Sequence, residues 1–211
     1  MSRSLSGTRD GMSRGGNSEA ERTLQEAVDK HHPRLTMACS FQKEESVLID
    51  MLMDIEPGVR VFTIDTGVLF GETYEVWREV EQRYGLKIEV QDAAGPWSAD
   101  NCCGEAKVAG LERGLEGAEA WITGVRREQS PTRADARFVE RDHKRGMWKY
   151  NPLADWTERD VWNYIHEHDL PYNPLHDRGY ASIGCAPCTL PGDGREGRWS
   201  GQDKSECGLH L

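Results

Sequence analysis

The 211-residue chain has no apolar run approaching the roughly 20 residues that a membrane-spanning helix needs. It is also short of positive charge, with 26 Lys and Arg against 36 Asp and Glu and a net charge of −10. A chain of that sign repels nucleic acid and anionic bilayers, so neither is expected as a partner. Residues 1–17 lack the apolar core of a secretory leader and are rich in Ser, Gly and Arg; a disordered tail on a cytoplasmic protein is expected. There is no Gly-rich run closing on Gly-Lys-Ser or Gly-Lys-Thr, which excludes a Walker A phosphate loop. No internal repeat is present, and the length suits one domain with a full core.

What is present alternates. Residues 18–31 read as a helix stopped before Pro33, and residues 35–39 as a short buried strand. A helix follows with Val47, Leu48, Met51 and Leu52 on one face, ended by Pro57-Gly58. Strands are expected at 59–64, 86–90 and 120–123, and helices at 72–84, closed by Gly85, and at 107–115. This order predicts an α/β fold, a parallel twisted sheet with helices on both faces, whose ligands bind beyond the carboxyl ends of the strands. The loops after Cys39 and Ile64 fall there. Residues 126–149 form a positive island, with eight Lys or Arg against four Asp or Glu. Thr157 and Asp160 have the spacing of a capping box at the start of a helix carrying Val161, Trp162, Tyr164 and Ile165. His166 and His168 on that helix are read as structural or solvated. From residue 172 onward the chain is rich in Gly and Pro and reads as a loop-rich tail.

Six cysteines stand out in such a chain. Without a leader and with length enough for a core, reduced thiols are expected rather than disulfides. Cys39 ends an apolar strand and reads as a core thiol. Cys102-Cys103 and Cys185-Ala186-Pro187-Cys188 form two close pairs about eighty residues apart, able to meet at one metal site. Side chains of adjacent residues diverge by about 100° in a helix and point oppositely in a strand, which suits a cubane offering a different iron to each sulfur better than one zinc ion. The spacing favours a 4Fe–4S cluster, with zinc and no metal as open alternatives. A thioredoxin-type redox role for the C-x-x-C lacks the strand before it and helix after it. Cys207 has Lys204, Glu206 and His210 near it and no apolar stripe to bury it. It reads either as an incidental thiol or as a nucleophile on a mobile arm, its thiolate favoured by His210 and nearby Arg.

Ser40-Phe41-Gln42-Lys43-Glu44-Glu45-Ser46, Ile64-Asp65-Thr66-Gly67, residues 123–130, both cysteine pairs and the ending Glu206-Cys207-Gly208-Leu209-His210 together resemble the assimilatory sulfonucleotide reductases. The resemblance covers residues 35–210. It implies a fold like the adenine-nucleotide α-hydrolases, with a modified pyrophosphate-binding loop at residues 40–46, and a 4Fe–4S cluster on Cys102, Cys103, Cys185 and Cys188. Members with both pairs use adenylyl sulfate (APS) and members without them the 3′-phosphorylated form (PAPS), so APS is implied, with PAPS reduction as the alternative. It further implies a homo-oligomer. Three units are expected: the tail at 1–17, a reductase domain at 18–200 and an arm at 201–211, with no thioredoxin-like domain.

The implied chemistry begins with attack of the Cys207 thiolate on the electrophilic sulfur of APS and expulsion of AMP. Thioredoxin or a glutaredoxin-like reductant would then release sulfite from the Cys207 S-sulfonate. Two anionic groups require a cationic pocket, for which Lys107, Arg126, Arg127, Arg133, Arg195 and Arg198 are available. By resemblance, Lys107, Arg133, Arg195 and Arg198 bind the sulfate or phosphate. Ser40, Phe41, Gln42, Ser46, Asp65, Thr66, Gly67, Gly124 and Arg126 complete the expected substrate site. Glu44 and Glu45 read as first-turn carboxylates favoured by the helix dipole. Trp97 and Trp199 either stack on the base or pack at the rim. A PP-loop adenylating enzyme is the rival activity, and a metal-binding module without catalysis the rival from another class.

Overall fold

The computed structural model describes residues 14–93 and 104–199. In chain order its elements are α1 (Arg14–His31), β1 (Leu35–Cys39), α2 (Lys43–Ile55), β2 (Arg60–Asp65), α3 (Gly71–Tyr84), β3 (Glu89–Asp92), α4 (Glu105–Gly114), β4 (Ala120–Ile122), β5 (Val139–Asp142), β6 (Met147–Tyr150) and α5 (Glu158–Glu167). The sheet order is β3-β2-β1-β4-β6-β5. Every neighbouring pair is parallel except β5 with β6.

The central strands β1 and β4 are mostly apolar and buried because both faces of the sheet are covered there. Leu35, Met37 and Cys39 of β1 and Ala120 and Ile122 of β4 join one core with Leu24 of α1, Leu48 and Leu52 of α2, Val76 of α3 and Ile165 of α5. The residues between them point the other way. Trp121 and Phe62 pack with Leu111 and Leu115 at the α4 side, and Ala38 lies against them. Helices therefore flank both faces, as the alternation of elements predicts. No helix among the described residues is long and apolar enough to cross a membrane.

The chain leaves β1 toward β2 on one side, while β4 lies on the other. The loops after β1 and β4 diverge from this switch point, which is where an open α/β sheet forms its ligand crevice.

Two boundaries and one element differ most from expectation. α1 starts at Arg14, so the last residues of the expected tail are helical. β3 begins at Glu89 rather than residue 86. Ile88 is buried, yet its N–H is bound by the Glu81 carboxylate at 2.9 Å, outside the ladder. The positive island contains an unexpected hairpin, β5–β6, with Gly146 at φ 68° in its turn. Its charges are paired: Arg145 with Asp142 and Glu112 at 2.9 Å, and Lys149 with Glu140 at 3.0 Å.

Candidate active site

A cleft partly open to solvent lies beyond the carboxyl ends of β1, β2 and β4, the place where an open α/β sheet binds its ligands. Ser40 and Gln42 reach it from the loop after β1, Thr123 and Gly124 from the loop after β4, and Ile183 to Cys185 from the C-terminal segment. Lys107, Arg133, Arg195 and Arg198 all line it. Four of the expected anion-binding cations thus converge on one cavity of an acidic protein.

The β1–α2 loop is shaped by Phe41, which adopts φ 58°, a conformation uncommon for a residue with a side chain. Its ring is 2% exposed and stacks on Trp77 with centroids 5.3 Å apart. Phe41 is therefore a core anchor rather than a nucleoside contact, since its side chain is withdrawn into the apolar cluster while Ser40 and Gln42 line the cleft. The side-chain amide oxygen of Gln42, Oε1, accepts from the Ile183 N–H at 3.1 Å and the Ser182 hydroxyl at 3.3 Å, tying this loop to the segment before the C-x-x-C. Ser46 is buried in the first turn of α2, off the cleft lining.

Asp65-Thr66-Gly67 also sits differently from expectation. The Asp65 carboxylate accepts from the Gly67 N–H and the Tyr74 hydroxyl, each at 2.8 Å. Burial and this carboxylate push the Tyr74 phenol up to about 12. Gly67 has φ 70°, and Thr66 Oγ1 is 3.2 Å from Cys185 Sγ. None of the three lines the cleft. The turn spends its polar groups on itself, and its contact is with the cysteine pair.

Cys185 and Cys188 are 4% and 3% exposed and cluster with Trp199, Val68 and Leu69. The Ala186–Cys188 turn is 3₁₀, with Cys188 N–H donating to the Cys185 carbonyl at 3.2 Å. Two buried thiols three residues apart inside an apolar shell are a donor set that suits a sulfur-ligated metal centre. Their expected partners, Cys102 and Cys103, lie outside the described residues, as do Trp97, Cys207 and His210. α4 begins two residues after Cys103, and Lys107 in its first turn lines the same cleft as Cys185. Arg195 and Arg198 both place their guanidinium carbons over the Trp199 ring, 5.2 and 4.9 Å from its centroid. Trp199 is thus packed among the cysteines and arginines. Arg198 donates to the Ser182 hydroxyl and the Ile183 carbonyl at 3.1 Å. It lies so close to Gly184 that a Cβ there would be 2.7 Å from the guanidinium.

Arg126 is the clearest revision. Its side chain is 3% exposed and absent from the cleft lining. It donates to Glu44 at 2.9 Å, Glu128 at 3.1 Å, Glu158 at 2.7 Å and the Trp156 carbonyl at 3.2 Å. With its donors taken by three carboxylates it is a structural node rather than a ligand for substrate. Lys43 joins the node, donating to Glu158 and to the Ala181 carbonyl at 2.9 Å. Burial would raise the Glu44 carboxyl, but Lys43 and Arg126 outweigh it and hold Glu44 below the usual carboxylate range.

Gln129, Glu44 and Glu45 are site residues that sequence reasoning missed. The Gln129 amide donates to Glu44 at 3.0 Å and to the Gly124 carbonyl at 3.1 Å, while its carbonyl oxygen accepts from Arg133. It therefore connects the buried node to a cleft cation. Glu45 accepts from the Ser40 hydroxyl at 3.1 Å and the Gln42 N–H at 3.0 Å. Burial, then the charge of Glu44, push its carboxyl up to about 7. Gly124 permits this crowding, since a Cβ there would stand 2.6 Å from Glu45 Oε1 and 2.9 Å from Glu44 Cβ. The signal in the sequence was two successive carboxylates in an anion-binding loop opposite a glycine.

Comparison with known proteins agrees with this geometry. The family described as phosphoadenosine phosphosulfate reductase domain matches residues 34–191. A protein of Geobacillus thermodenitrificans named adenosine 5′-phosphosulfate reductase is 45% identical over 204 residues, covering 88% of this chain and 87% of its own length. The crystal structure of phosphoadenylyl-sulfate reductase from Candida auris, a phosphate complex, matches with a TM-score of 0.70 and 26% identity over 87% of this chain and 100% of that one. A Candida glabrata FMN adenylyltransferase shares the fold at a TM-score of 0.67 and 17% identity, over 87% of this chain and 68% of that one.

Proposed function

The chain belongs to the phosphoadenosine phosphosulfate reductase family, and we propose that it reduces adenylyl sulfate to sulfite and AMP in sulfate assimilation. The observation that carries this reading is the convergence of Lys107, Arg133, Arg195 and Arg198 on a cleft at the sheet's switch point, beside the buried Cys185 and Cys188. A phosphosulfate needs such a cationic cavity, and arginine forks match its oxygens. The substrate preference rests on relatives named for APS and on the presence of both cysteine pairs.

In the proposed mechanism the cations hold the phosphosulfate while Ser40 and Gln42 border the nucleotide. The Cys207 thiolate attacks the sulfur, a sulfur–sulfur bond forms, the bond from sulfur to the phosphate-bridging oxygen breaks, and AMP leaves with the electron pair. His210 positions Cys207 and favours its thiolate. A thiolate of a separate thioredoxin-type dithiol protein then attacks the Cys207 sulfur and expels sulfite. Its second thiol resolves the mixed disulfide, so the dithiol supplies both electrons. Cys102, Cys103, Cys185 and Cys188 would hold a 4Fe–4S cluster, which would supply fixed charge and rigidity beside the cationic cleft. We place the protein in the cytoplasm, as a homo-oligomer.

The reading is tested by sulfite release from APS and from PAPS, each with thioredoxin. A higher kcat/KM for APS is expected. Preference for PAPS would keep the mechanism and reverse the substrate, and release from neither by iron-loaded protein would overturn the assignment.

A further inference from the structure

Glu45 is a buried carboxyl in a cleft built to hold an anion, and the mechanism above gives it no task. It is 8% exposed and lines the cavity together with Arg133. One of its oxygens, Oε2, receives both the Ser40 hydroxyl and the Gln42 N–H. The other, Oε1, has no hydrogen-bond partner among the described residues and lies against Gly124, where an added Cβ would stand 2.6 Å from it. Glu44 beside it is compensated by Arg126 and Lys43, whereas Glu45 has no ion pair among the described residues.

We propose that Glu45 receives the sulfonucleotide as a neutral carboxylic acid, so that substrate binding takes up a proton. The inference rests on the cleft being the sulfonucleotide site. As a carboxylate, Glu45 would repel the incoming phosphosulfate and draw on Arg133, the cation facing it, for its own compensation. As an acid it makes no such demand on Arg133, which donates to Gln129. With Oε2 already accepting two hydrogen bonds, the proton belongs on Oε1, where it can be donated to an acceptor atom of the ligand. A carboxyl held neutral by its surroundings near the working pH is a recognised use of burial beside a like charge. The raised affinity of Glu45 for its proton agrees with the geometry.

The other charged or titratable groups facing this part of the cleft can be named. Cys39, at the end of β1, is held neutral because burial and Glu45 raise its thiol well above the ordinary value. Glu44 lies on the same helix. Arg133 comes from the 3₁₀ turn after Ser130, Lys107 from α4, and Arg195 and Arg198 from the C-terminal segment. APS carries no group that titrates between pH 6 and 9, so a proton taken up on binding there comes to the protein.

The test is titration calorimetry of APS binding to the iron-loaded Cys207→Ser protein, which cannot turn the ligand over, from pH 6 to 9 in buffers of different ionisation enthalpy. The same titrations are run with Glu45→Gln added. Proton uptake approaching one per APS is expected above pH 7, with Kd rising about tenfold per pH unit there. In the Glu45→Gln protein, isosteric with the acid, uptake should vanish and Kd should stay flat at the low-pH value. If that variant fails to fold, uptake by the Glu45 protein decides alone, a value near zero overturning the proposal. An unchanged pH slope in Glu45→Gln, or weaker binding at every pH, would also overturn it. APS binding without proton uptake defeats only this inference, whereas no APS binding by either protein defeats the reading of the cleft as well.

Discussion

Glu44 and Glu45 are neighbours on one turn of helix and are driven in opposite directions by what faces them. Arg126 and Lys43 hold Glu44 low, so its charge supports folding above the unfolded carboxyl range, and that support is lost as pH falls through the lowered value. Glu45 is raised, so stability is lost as pH climbs from about 4.5 to about 7. Replacing Glu45 by Gln should therefore add about 3 kcal/mol at pH 8 and almost nothing at pH 4, measured by urea unfolding at both. Replacing Arg126 by Met leaves Glu44 buried without its main partner and should cost about 3–5 kcal/mol in the same assay. The sequence identified the cations but not their fates. Whether an arginine meets a ligand or a carboxylate depends on side chains brought from α2 and α5, and no local pattern carries that information. Phe41 was misplaced for a related reason: a positive φ turns its ring inward, and residue type alone does not announce that.

Among the elements, those whose local chemistry agrees with their surroundings were legible. β1 and β4 are mostly apolar because they are covered on both faces, and α3 ends at Gly85 in the left-handed conformation, as its position suggested. The α5 cap is present, with Thr157 Oγ1 accepting from the Asp160 N–H at 3.2 Å and Asp160 accepting from the Thr157 N–H at 2.9 Å. Thr157→Ala should cost about 1 kcal/mol in thermal or urea unfolding. The β5–β6 hairpin was not legible. Its four-residue strands carry Arg141, Lys149, Glu140 and Asp142, part of what reads as a positive island until cross-strand pairing is seen. An edge strand of this kind is defined by its partner more than by its own periodicity.

At the scale of the whole molecule, an acidic protein keeps four cations inside one cleft, where they attract a small dianion without making the surface basic. The cysteine pairs stand out in the sequence, and the 4Fe–4S cluster proposed for them rests on their spacing. Cys185 and Cys188 are buried together in an apolar shell at the cleft, as ligands of a shared centre would be. Cys188→Ala should lose bound iron, measured by iron content and visible absorbance, whereas Cys207→Ser should keep it and lose all sulfite release.

The most direct measurement is the intact and peptide mass of the iron-loaded protein after anaerobic incubation with APS and no reductant. One SO₃ group on the peptide carrying Cys207, removed as sulfite when thioredoxin is added, is the predicted result. An unmodified Cys207, in protein that binds APS and holds its iron, would contradict the account.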